Sequence, residues 1–146
     1  MHPRPHALEI PADAPAEAGV VLVSPAHAVK TRQGLPAFVG ISEATAGSTG
    51  ICMNLIEIPP GGRAEPHLHL GFETAIYLLE GTVETLYGPG LRERVVVRAG
   101  DFLYIAADVP HQPINLSASQ TARAIVARNT PREQESVVSY LPVTEA

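Results

Sequence analysis

Short apolar runs separated by turn residues, not long amphipathic stretches, organise this chain. The runs fall at residues 20–23, 37–41, 51–58, 74–79, 82–87, 92–98, 102–106, 113–116, 121–128 and 136–141. They recur about every ten residues and are broken by Pro59-Pro60-Gly61-Gly62, Gly81, Gly88-Pro89-Gly90, Gly100-Asp101 and Pro110. That rhythm predicts an all-β sandwich or barrel. Glu80-Gly81 and Gly88-Pro89-Gly90 read as hairpin turns, because glycine supplies the positive φ such turns need. Residues 118–127 tolerate a helix by composition, but Ile125-Val126 and the loop Asn115-Leu116-Ser117 favour a strand.

Strand alternation then sorts the faces. Ile76 and Leu78 share parity with Thr74, and Leu103 and Ile105 share parity with His111, so these four side chains are assigned to the inner wall. Met53 and Phe72 are expected to close the pocket. Over 92–98, Arg92, Arg94 and Arg98 alternate with Glu93, Val95 and Val97. This reads as the solvated face of an outer strand in preference to an anion-binding strip. Residues 1–18 are rich in Pro and Ala without a sustained period. They are expected to form an arm, able to lie on a neighbouring subunit, ahead of a single barrel domain over 19–146.

Composition narrows the classes. A chain of 146 residues, 45% hydrophobic and 17% charged, is one globular domain in size and character. Its formal net charge of −5 leaves no broad basic surface to neutralise phosphates, which argues against a nucleic-acid partner. No run of about 18 apolar residues occurs, so no membrane partner is expected either. Cys52 is the single cysteine. It has no partner for an internal disulfide, which points to a reducing cytoplasm, and in its apolar run it reads as a small buried hydrophobe. His2 and His6, on a Pro-broken tail, read as solvated, and His27 as structural or exposed.

The candidate chemistry lies in Pro66-His67-Leu68-His69 and in His111. On an extended segment an H-x-H places both imidazoles on one face. A third imidazole returning from a distant strand completes a three-nitrogen site suited to one divalent transition metal: zinc, iron, manganese, nickel or copper.

From Gly61 the chain runs five residues to His67-Leu68-His69, three more to Glu73, then seven to Gly81. From Gly100 it runs five residues to Ala106, then Ala107-Asp108, two residues, His111, three residues and Asn115. These two stretches resemble the paired motifs of the cupin superfamily, and the chain looks most like its short, single-domain bacterial members. Ala106 and Asp108 stand where the second motif has proline and glycine, which alters a turn. The resemblance implies a double-stranded β-helix, or jelly-roll barrel, with a metal deep in its open end. It implies the ligands His67, His69, Glu73 and His111, and a homodimer. Asn115 falls at a position that orders a turn. The six-residue gap of the motif, counted back from Gly81, puts Thr74 where the carboxylate belongs. Glu73 is then either a ligand, reached through a backbone bulge, or an acid–base, outer or surface group beside a three-histidine site completed by water.

The functions that follow are a metalloenzyme, with isomerase, epimerase or cyclase chemistry on a small carbonyl- or hydroxyl-bearing compound and Glu73 moving a proton; a dioxygenase; or a small-molecule-binding module without turnover. A mainly apolar inner wall fits an organic substrate.

Overall fold

Cys52, Asn54, Ile56 and Ile58 are buried while Met53 is exposed, so the strand β3 (Cys52–Ile58) turns every second side chain into the protein. The computed structural model describes residues 9–14, 19–24, 28–30, 33–132 and 137–142. Two antiparallel sheets form in it. The first has the order β1 (Ala28–Lys30), β2 (Pro36–Ile41), β3, β10 (Ala122–Arg128), β5 (Thr74–Glu80) and β8 (Phe102–Ile105). The second has the order β11 (Val137–Ser139), β4 (His67–His69), β9 (His111–Asn115), β6 (Thr82–Tyr87) and β7 (Glu93–Arg98). Ile56, Leu78, Ala124 and Val126 from the first sheet meet Val83 and Val97 from the second in one buried cluster. The architecture is the all-β jelly-roll that the rhythm of the sequence predicts.

Several expectations change. Residues 20–23 form no strand, and Val20 and Leu22 stand 94% and 92% exposed. A short strand at Ala28–Lys30 and a four-residue helix, Glu43–Ala46, were not anticipated. The helix is closed at its start by reciprocal hydrogen bonds between Ser42 and Thr45. Glu80-Gly81 is not a hairpin turn, because β5 belongs to one sheet and β6 to the other. Gly81 is the corner between them. Its φ is +96°, and a Cβ there would lie 3.0 Å from the Cα of Ala122, so both conformation and space call for glycine. Gly88-Pro89-Gly90 does close a hairpin, between β6 and β7. Arg92, Arg94 and Arg98 are exposed on the outer strand side, as the alternation implies.

The C-terminal strand pairs within its own chain, with Val137 opposite His69. Of the arm expected over 1–18 only 9–14 are described. His2, His6 and His27 lie outside the described residues.

Asn115 clamps the base of the barrel. Fully buried, it donates from Nδ2 to the carbonyls of Ile58 (3.0 Å), Pro59 (3.2 Å) and Gln120 (2.7 Å), and its Oδ1 accepts from the Ser117 amide at 2.9 Å. Removing the amide strands buried carbonyls at a cost of about 1–3 kcal/mol for each group left unsatisfied. Asn115→Ala is therefore expected to lose about 2–4 kcal/mol in urea unfolding. Asn115→Asp should lose at least as much at neutral pH, since a carboxylate would face those same carbonyl oxygens.

Candidate metal centre

His67 and His69 face inward together because Leu68 between them turns the other way. His111 opens β9, and its Cα lies directly opposite that of His67 in the antiparallel pair. Strand pairing thus delivers residues 44 positions apart to one spot. Ring centroids are 4.4 Å apart for His67 and His111, 5.2 Å for His67 and His69, and 5.6 Å for His69 and His111. One ring nitrogen from each lies within 4.8 Å of the other two.

All three imidazoles are held neutral. Burial is the main cause, pushing His67 down to about 3, His69 to about 2 and His111 to about 4. The Arg128 guanidinium pushes each further in the same direction, and for His67 the neighbouring His111 contributes more than Arg128 does. Neutral imidazole is the form that ligates a metal. Nδ1 of His67 donates to the carbonyl of Glu65 at 2.7 Å, and Nδ1 of His111 to that of Val109 at 2.9 Å. Both bonds place the proton on Nδ1, so Nε2 carries the lone pair. His69 has neither nitrogen hydrogen-bonded although both are buried. A buried donor–acceptor ring without partners is costly, and a metal ion on one nitrogen relieves that cost. The donor set fits such an ion.

Glu73 is not brought to the histidines. It is exposed, shares the outward parity of Ala75, and its Oε1 accepts from the Tyr104 hydroxyl at 2.6 Å. Asn129 donates from Nδ2 to its Oε2 at 3.3 Å and accepts from the Glu73 amide at 2.8 Å. The bulge that could have turned this carboxylate inward is absent at 73–74, where Thr74 pairs regularly with Ile105. The irregularity of β5 falls near its other end, where Arg123 pairs with Glu80 and Ala124 with Leu78. Thr74 takes the inward place, 1% exposed.

Beside Thr74 stands a residue that the motif comparison did not single out. Arg128, at the inward end of β10, is buried and donates from Nε to Thr74 Oγ1 at 3.0 Å. Arg128 is among the residues that line the barrel cavity, together with His67, His111, Thr85 and Gln33, whose Oε1 is buried without a hydrogen-bond partner. The signal was present as parity: Ala122, Ala124, Val126 and Arg128 occupy alternate positions of one strand. Ile76, Leu78, Leu103 and Ile105 line the cavity as assigned, whereas Met53 faces outward and neither it nor Phe72 is among the lining residues.

Loops hold the mouth of the site. Asp108, in place of the motif glycine, adopts the left-handed conformation itself (φ +66°) and accepts from the Gly71 amide at 2.8 Å. Asp tolerates this region better than most residues. Since Glu73 touches only exposed partners, Glu73→Gln should leave the metal content of purified protein unchanged and shift stability by no more than about 0.5 kcal/mol. Elemental analysis and urea unfolding check both.

Among solved structures the chain is similar to a recombinant oxalate oxidase in complex with glycolate, at 21% identity over 92% of this chain and 69% of that one, with a TM-score of 0.66. It is similar to the polyketide cyclase RemF from Streptomyces resistomycificus at 24% identity, over 83% of this chain and 78% of that one, TM-score 0.62. An oxalate decarboxylase from Lactobacillus farciminis, in a formate complex, matches at 19% identity and a TM-score of 0.64 over 77% of this chain. The chain spans only 32% of that decarboxylase. No curated protein matches in sequence. The family model described as Cupin domain matches residues 54–128, just over half of the chain, from the middle of β3 to Arg128. Both motif histidine groups and the strands that carry them fall inside that span, and the chain therefore belongs to the cupin family.

Proposed function

We infer that this protein is a small metalloenzyme in which His67, His69 and His111 hold one divalent transition metal, with an organic substrate filling the apolar barrel beside it. The observation that carries the reading is the neutral three-imidazole cluster with both nitrogens of His69 unpartnered. A divalent ion held by three neutral ligands keeps its full charge and open positions, and supplies Lewis-acid polarisation of a carbonyl or hydroxyl oxygen.

The chain's own residues do the rest. The carbonyls of Glu65 and Val109 orient two of the rings. Ile56, Leu78, Val83, Val97 and Val126 exclude water and receive the substrate's apolar body. Such a site suits isomerase or cyclase chemistry. Because Glu73 faces solvent, it is left out of both the ligand set and the proton-transfer step. Association as a cytoplasmic homodimer completes the reading, supported by the buried lone thiol of Cys52 and by the exposed apolar side chains of Leu22 and Phe102.

Protein purified without chelator should carry about one equivalent of transition metal, and His67→Ala or His111→Ala should lower that at least tenfold by elemental analysis, as expected when a first ligand is lost. Retention of the wild-type melting temperature in the metal-poor variants marks a working site, whereas collapse of the fold marks a structural one and overturns the enzyme reading. Light scattering at micromolar concentration should give twice the chain mass. A monomer there removes the dimer.

A further inference from the structure

Glutamine in a turn ordinarily keeps its amide in water, and Gln33 does not. It lies in the turn ahead of β2, where Gly34 takes a φ of +89°, yet it is only 3% exposed. It is among the residues that line the barrel cavity, and its Oε1 is buried with no donor reaching it among the described residues. The backbone fixes where that side chain starts. The Gln33 carbonyl accepts from the Glu65 amide at 2.8 Å, and the Glu65 carbonyl accepts from Nδ1 of His67 at 2.7 Å. Two hydrogen bonds through one residue thus tie Gln33 to a ring of the histidine cluster. Much of the remaining wall is aliphatic, Ile56, Leu78 and Val126 among it, and offers an amide oxygen nothing to bond.

We propose that the Gln33 side chain selects the ligand of this cavity, its Oε1 accepting a hydrogen bond from a hydroxyl carried on a neutral, otherwise apolar molecule. The proposal rests on the reading of the three histidines as the reacting end of the same cavity and adds a specificity-determining residue to it. A glutamine kept for structure would spend its amide on its surroundings. Here the backbone carbonyl holds the turn, and the side-chain oxygen holds nothing. An amide oxygen buried without a donor has lost its bonds to water and regained none. A ligand hydroxyl returns that bond, whereas a methyl, ether or carbonyl in the same place leaves the oxygen stranded. Such discrimination is steeper than apolar shape alone can give, because the wrong ligand leaves a buried polar group unpaired.

Phenol and toluene have nearly the same shape, and only phenol can donate a hydrogen bond. A cavity without an acceptor favours toluene, since phenol must shed the water on its hydroxyl. Calorimetric titration of the protein as purified gives the ratio of phenol to toluene affinity. Gln33→Met, which replaces the amide by an apolar chain of similar length, should lower that ratio at least tenfold while the metal content stays unchanged. A smaller fall in the ratio, or no heat from either compound at millimolar concentration, overturns the assignment. Loss of metal in the variant also overturns it, by making Gln33 a ligand of the ion. If Gln33→Met fails to fold, Gln33→Leu takes its place, with the same fall expected. Failure of both to fold marks a structural amide and overturns the proposal. Elemental analysis of wild type separates the two readings. Wild type without metal removes the metal centre and leaves a Gln33-dependent preference for phenol standing. An unchanged ratio with metal in place removes this inference alone.

Discussion

Three imidazoles withdrawn from water have to give up their charge and still find partners for their nitrogens. Every other feature of the site follows from how this chain meets that demand. Burial drives each ring to the neutral form, and a buried cation at Arg128 reinforces it. Two rings satisfy Nδ1 on carbonyls two residues upstream, Glu65 for His67 and Val109 for His111. The same i to i−2 contact at both sites reflects the same local geometry, a loop entering a strand whose first residue is the histidine. His69, on the far side of the pair, has no such carbonyl, and its unsatisfied nitrogens make the cluster a demanding place for anything but an ion.

The barrel supplies the environment in which those rings matter. Among the described residues, sheets of six and five strands close over an aliphatic interior, and β4 and β9 bring His67 and His111 together in the smaller sheet. The larger sheet provides the opposing chemistry. Its β5 and β10 pair Thr74 with Arg128, so the inward end of that sheet carries a hydroxyl holding a guanidinium, while the motif carboxylate's sequence neighbour, Glu73, is spent outside on Tyr104 and Asn129. The hydrogen bond to Glu73 raises the Tyr104 phenol above its ordinary range, since only the protonated hydroxyl can donate it, and the nearby carboxylate charge adds to the effect.

Several motif positions serve geometry and not chemistry. Asn115 ties the β3 exit to the loop before β10 through four hydrogen bonds. Gly81 turns the chain from one sheet to the other where Ala122 leaves no room for a side chain. Asp108 shows that the turn before His111 needs a backbone conformation and not a particular residue. It adopts the positive φ of the motif glycine and uses its carboxylate to hold Gly71, tying the loop that leaves His69 to the loop that enters His111.

What the sequence determined by itself was local and periodic. Turn residues every ten positions, apolar alternation within the runs and the spacing of His67, His69 and His111 were enough for the all-β class, most of the strands and the side chains of the histidine cluster, because period 2 and the H-x-H face are properties of a single strand. The tertiary structure decided everything that depends on which strand lies beside which. The spacing left Glu73 and Thr74 in competition, and the regular pairing of Thr74 with Ile105 settled which of them faces inward, since a shift of one residue reverses a side chain. Gly81 looked the same as a hairpin glycine, and only sheet membership made it a corner. Arg128 sat at the end of an alternating strand, legible as inward-facing by parity, but its place beside the histidines came from a sheet assembled out of strands far apart in the chain. No local pattern in the sequence encodes that proximity.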